Sequence, residues 1–240
     1  MNLTRAPGFA LVGAALALAA VSALELAAGS ARGDGDNPTE SLGYLASHGQ
    51  FYALSGLALV AGSVAIIVAA LGVRRFARAA GVSLALESIT AVAALAAGFL
   101  AVAGVMRMQA VGTVPYIRSL DERWGESAYL VVQIAGTQGL LSAGLIGLAA
   151  WLIGFAFLAW RRSVRWPAVV GVIPAFVLFV LLTDLAIPSL AELVGEGLFP
   201  AYVGGIIVGL PLCCLTFGVA LLLPGTRARL SRVPSLRLSR

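Results

Sequence analysis

The sequence predicts an all-α fold: a polytopic transmembrane helical bundle with six spans and both termini cytoplasmic. Three observations predict it. The 240 residues are 60% hydrophobic and 11% charged, whereas soluble domains carry about a quarter charged residues. The apolar residues gather in six runs, each meeting the roughly 20 residues that cross a bilayer. The arginines cluster in alternate segments between those runs, as the positive-inside rule requires of cytoplasmic loops.

The first run, 8–29, reads GFALVGAALALAAVSALELAAG. One basic residue precedes it and small residues follow it, as in a signal peptide. Its length and the late Glu25 favour a retained helix. The second run covers 51–73 and the third 82–106. The fourth, 128–160, exceeds what the hydrocarbon needs and is expected to tilt or project. The fifth covers 167–187 and the sixth 201–223. Together they form one bundle over 1–225, with 226–240 a basic, disordered tail.

Orientation follows from charge. VRRFARAAG (73–81), RRSVRW (161–166) and the tail RARLSRVPSLRLSR are basic, and the alternate loops hold most of the acids. The basic side is therefore the cytoplasmic side of a bacterial inner membrane.

Small residues should form the seams between helices, because close backbone approach holds spans together in lipid. Ala135, Gly139, Ala143 and Gly147 recur every four residues, and Gly205 and Gly209 continue to Cys213. A homodimer face is the rival use of such stripes. Pro174 and Pro211 should kink their runs, or mark where a neighbour satisfies the freed carbonyl. VPYIRSLDERWGES (114–127) reads as a short interfacial helix with Trp124 at headgroup level, or as a lid over an outward pocket. DGDNPTE (34–40) lacks the later ligands of a calcium loop and reads as a turn.

Composition excludes several chemistries. All sixteen basic residues are arginine, so no lysine exists for a Schiff base or a phosphate loop. The single histidine, His48, cannot supply bis-His haem or a three-His zinc site. No cofactor and no metal is expected. The net charge of +5 sits beside apolar runs, so it addresses lipid headgroups rather than nucleic acid. Adjacent Cys213 and Cys214 lie in an apolar run and read as small buried hydrophobes.

Two polar sets stand out. Ser83, Glu87 and Thr90 share a face of run three with Ala94 and Gly98. That face is expected to point inward, with Glu87 buried, neutral and hydrogen-bonded, either as a helix tie or as a functional group. The second set lies near the outer ends of five runs: Glu25, His48, Tyr52, Arg107, Gln133, Gln138 and Asp184. Arg107 is on the side where arginine is disfavoured and calls for a carboxylate, Glu25 or Asp184. Wetted helix ends are the ordinary alternative.

The stretches ALESITAVAALAAG and GLAAWLIGFAFLAWRRSVRWPAVVGVIPA, with Pro167 to Gly171 opening a helix, resemble a bacterial family of multi-pass membrane proteins of unknown function (domain-of-unknown-function family 4386). The resemblance covers about half the chain through loose motifs. It implies a compact bundle and supplies no activity and no catalytic residues.

The expected function is a non-enzymatic bundle that binds or transports an apolar or amphipathic small molecule through an outward polar pocket. An accessory subunit of a larger membrane complex, or a homo-oligomer, is the second reading. A membrane enzyme using carboxylic-acid chemistry on a lipid is the third.

Overall fold

The computed structural model describes residues 5–29, 38–79, 84–186 and 204–230. Among them every regular element is helical: α1 (Ala6–Gly29), α2 (Pro38–Ala79), α3 (Leu84–Leu120), α4 (Glu122–Val131), a π-helical stretch (Val132–Leu140), α5 (Leu141–Arg161), α6 (Arg165–Val170), α7 (Val172–Ala186), a second π-helical stretch (Gly205–Gly209), α8 (Leu210–Leu222) and α9 (Pro224–Leu230). Among the described residues, five helical stretches are long and apolar enough to cross a membrane: Ala6–Ala27, Leu42–Arg75, Glu87–Leu120, Glu122–Arg161 and Gly205–Leu222. The fifth run is covered by two helices in succession, Arg165–Val170 and Val172–Ala186, with a break at Gly171.

Successive helices pack antiparallel. A Cβ on Gly72 would meet Pro7, and one on Gly62 would meet Ala17, so α1 runs against α2. Gly49 faces Val111 and Gly56 faces Gly104 across α2 and α3. Gly144 and Gly147 lie on Leu100 and Ala96 of α3, and Gly154 lies on Ile89. Gly205 and Gly209 lie on Val177 and Ile173 of α7. Gly8 meets Gly218, which returns α8 to α1. The helices thus close a ring around a core holding Leu148, Trp151, Leu152, Phe155 and Phe217. The Phe155 and Phe217 rings pack at 4.8 Å between centroids.

Small-residue spacing locates two of these seams, α3 with α5 at Gly147 and α7 with the last span at Gly205 and Gly209, the latter continued at buried Cys213. It misplaces two positions. Ala135 is exposed, and Gly139 has only Ile134 of its own helix beside it. Both lie in or beside the π-helical stretch, whose extra residue per turn rotates the four-residue stripe off the seam.

The prolines act differently from one another. Pro174 does not bend a helix: it sits in the first turn of α7, where its missing N–H costs little. The i−4 carbonyl it leaves free is that of Val170, and the Cys213 thiol donates to it at 3.5 Å. Pro211 follows directly on the second π-helical stretch, a frequent accommodation where the backbone ladder loses a donor.

The longest helices exceed any bilayer. α2 has 42 residues with a break at His48, and α3 has 37; at 1.5 Å per residue the part of α2 after the break and the whole of α3 run about 46 and 56 Å, against a hydrocarbon core of about 30 Å. The excess builds a small headpiece at one end. Leu42, Leu45 and Tyr52 of α2 form a separate apolar cluster with Ala110 and Val114 of α3 and Tyr129 of α4. The interfacial helix expected at 114–127 is therefore not formed. Residues 114–120 continue α3 through Pro115, and Asp121 then caps α4, accepting from the backbone N–H of Arg123 at 2.8 Å and Trp124 at 3.4 Å. Gly125 lets α4 fold back onto Arg118. The segment expected as a disordered tail begins as α9, held by buried Thr226 and Leu230. Residues 34–37 of the DGDNPTE turn lie outside the described residues.

Candidate functional site

Arg107 sits on the inner face of α3, one turn after Gly104. At that crossing the backbones approach so closely that a Cβ on Gly56 would lie 2.5 Å from the Gly104 carbonyl oxygen and 3.1 Å from the Arg107 Cβ. The two glycines therefore let the arginine stem enter between α1 and α2. Its side chain is only 3% exposed. Nη1 donates to the Glu25 carboxylate of α1 in a close ion pair, and to Ser55 Oγ of α2 at 3.1 Å. The guanidinium carbon lies 5.3 Å from the centroid of the buried Tyr52 ring, inside the range of cation–π attraction. Ser55 Oγ in turn donates to the Tyr52 carbonyl at 2.9 Å. Three helices thus meet on one guanidinium.

The site is asymmetric. Glu25 is 29% exposed while Arg107 is sealed, so the carboxylate forms the accessible edge. Arg107 Nε is buried with no hydrogen-bond partner among the described residues. A guanidinium offers five donors, and this one keeps unused capacity beside a partly exposed competitor for it.

Of the expected outer set, the structure joins Glu25, Arg107 and Tyr52. His48 lies one turn away from Tyr52, at a break in α2 where its backbone leaves helical geometry (φ −127°, ψ 19°). Its ring stacks between Tyr44 and Phe51, and Nδ1 is 2.8 Å from Ser47 Oγ. Near it, Leu45, Ala46, Ser47, Gly49, Gln50, Val111 and Pro115 line an open groove of about 380 Å³ between α2 and α3. Gln133 lies on the first π-helical stretch, half-buried, with its Oε1 buried and unpartnered among the described residues. Gln138 and Asp184 are on described helices, but their side chains fall outside what is described. Ser55 went unread in the sequence. The signal was present: it follows Tyr52 by three residues on one helical face and precedes Gly56.

The expectation for Glu87 is overturned. Its side chain is 43% exposed, and its carboxylate lies 3.7 Å from Arg74 Nη2. The reason is the phase of the helix: α3 turns Ala93, Ala96 and Ala97 inward, which leaves Glu87 on the outer side, in the first described turn and within reach of Arg74. Ala94 and Gly98 are exposed with it; of that set Thr90 is buried, and Ser83 lies outside the described residues. The inner face of α3 is instead Ala93, Ala96, Ala97, Leu100, Ala103 and Arg107.

No group of histidine, cysteine or acidic side chains that could hold a metal occurs among the described residues. Comparison of the chain with models of known protein families, with curated proteins and with solved structures found no match.

Proposed function

We propose that this chain is a six-span protein of the bacterial cytoplasmic membrane, with both termini inside, that binds or carries an amphipathic small molecule with an anionic head. The observation that carries the reading is the sealed Arg107 guanidinium, held by a partly exposed carboxylate and keeping an unused donor. Burying an ion pair is seldom the cheapest way to join helices, and intramembrane charges commonly mark ligand paths. Depth agrees. Arg107 lies twenty residues beyond Glu87, about 30 Å along the helix, which is one hydrocarbon thickness from the basic end. An anionic head there would displace Glu25 from Arg107 while its tail stayed in the apolar layer. His48, Tyr52, Gln133, Gln138 and Asp184 would form the surroundings of the head.

The test compares two amphiphiles of equal tail, dodecanoate and dodecyltrimethylammonium, by the shift each gives in thermal unfolding of the detergent-solubilised protein. Dodecanoate stabilises the wild type and the cation does not. Arg107→Gln removes the dodecanoate shift, and Glu25→Gln enlarges it by removing the competitor. Equal shifts from both amphiphiles, or a dodecanoate shift that survives in Arg107→Gln, would sink the reading.

A further inference from the structure

The turn between α5 and α6 carries a second feature, independent of the Arg107 reading. The chain there is Trp160-Arg161-Arg162-Ser163-Val164-Arg165-Trp166. α5 closes when Ser163 N–H donates to the Trp160 carbonyl at 3.0 Å and Val164 N–H to the Ala159 carbonyl at 2.9 Å. That closure puts Ser163 at φ 59°, the left-handed region, which few residues other than glycine adopt readily. Arg161 and Arg165 are both exposed, one on each side of the reversal, flanked by Trp160 and Trp166, 59% and 46% exposed.

Acidic residues are scarce around this turn. The sequence contains no acidic residue between Glu126 and Asp184. Among the described residues neither Arg161 nor Arg165 forms an ion pair. Antiparallel packing also brings the basic ends of α2 and α9, with Arg75, Arg229 and the Glu87-paired Arg74, to this same end of the bundle. Beside each exposed arginine runs an apolar track. Phe157 lies one turn before Arg161, whose guanidinium sits 4.6 Å over its ring. Val169 lies one turn after Arg165 and is likewise exposed.

We propose that the α5–α6 turn is a binding site for an anionic phospholipid, its phosphate between Arg161 and Arg165 and its acyl chains along Phe157 and Val169. Guanidinium matches phosphate in charge and in its paired donors. Indole rings favour the headgroup level. A soluble phosphate would use the arginines but not the apolar tracks; only a lipid uses both.

Brominated lipid quenching of tryptophan tests this in mixed dodecylmaltoside micelles, where membrane orientation plays no part. A Trp124→Phe background removes the exposed indole at the far end and leaves Trp160 and Trp166 as the accessible reporters. Brominated phosphatidylglycerol is expected to reach half-quenching at a mole fraction at least about fivefold below brominated phosphatidylcholine, the effect of a single surface arginine. Arg161→Gln with Arg165→Gln abolishes the difference, whereas Arg161→Lys with Arg165→Lys keeps most of it. Arg118→Gln with Arg123→Gln, at the other end, leaves it unchanged. Equal quenching by the two lipids in the background protein, or a preference retained in the double Gln variant, would overturn the proposal.

Discussion

Arg107 is stable where it lies only because several groups act on it at once. Glu25 supplies charge, Ser55 an acceptor and Tyr52 a ring face. Removing one member leaves the others with a cost they did not previously bear. Glu25→Ala strands a sealed guanidinium, and the expected loss is about 3 kcal/mol in unfolding free energy, the low end for breaking a buried pair, because Glu25 is partly exposed. The double variant Glu25→Leu with Arg107→Leu should lie closer to wild type than either single change, since no charge then remains unpaired. A denaturant titration of all the variants in one detergent measures this, and additive single effects would contradict the coupling. Glu87 gives the opposite case. Its contact with Arg74 is long and solvent-accessible, so Glu87→Ala should cost under about 1 kcal/mol. At this scale the sequence made legible that Arg107 needs a carboxylate, because a lone arginine on the acidic side demands a partner, but it left Glu25 and Asp184 open and the structure supplies Glu25. The sequence misled at Glu87, because small residues cover most of α3 and do not by themselves say which face turns inward: Ala93, Ala96 and Ala97 are buried while Ala94 and Gly98 are exposed.

Helix pairs meet where glycine removes the Cβ, and the tightest of these contacts frames the site. Gly56 and Gly104 each bring a would-be Cβ within 2.5 Å of the other's carbonyl oxygen. Backbone cannot move aside as a flexible side chain can, so Gly56→Ala or Gly104→Ala should destabilise by about 1–3 kcal/mol through overpacking. Either change should also loosen Arg107 from Ser55, since the crossing sets where the arginine stem enters. Gly98, on the same helix, has open space around its missing Cβ. Gly98→Ala should therefore stabilise by up to about 1 kcal/mol, the helix-propensity gain. Thermal unfolding of the three variants checks the contrast, and equal effects at Gly56 and Gly98 would count against the close crossing. Seams of this kind were readable as four-residue spacing at Gly147, Gly205 and Gly209. They were not readable across 132–140, because π-helical winding changes the period that the spacing argument assumes. The Cys213 contact to the Val170 carbonyl was legible only in part: Pro174 announced a freed carbonyl, but nothing local named the donor from α8.

The proportions of the whole molecule join the basic end to the buried charge. A slab of about 30 Å, laid from the arginines at the ends of α2 and α5, ends near Ser55 on α2 and Arg107 on α3. Beyond it lie the outer turns of α2 and α3 and the start of α4, closed around Leu42, Leu45, Val114 and Tyr129. Apolar runs alone could not show this headpiece, because its segments read as polar loops when scanned for span-length hydrophobicity. Their Leu42–Leu45 spacing carries the helical signal at too short a length to weigh. The proposed orientation puts the headpiece outside, and this sets what a labelling experiment should find. Ser119 is exposed at its tip, and Gly225, exposed with open space around its missing Cβ, lies at the basic end. In intact cells a membrane-impermeant maleimide should label Ser119→Cys and leave Gly225→Cys unlabelled until the cells are permeabilised. Cys213 and Cys214 are buried, so the native thiols should contribute little background. The reverse pattern would put the arginines outside, against the charge rule. It would also turn the Arg107 pair towards the cytoplasm, so that any amphiphile competing for Arg107 would arrive from inside the cell.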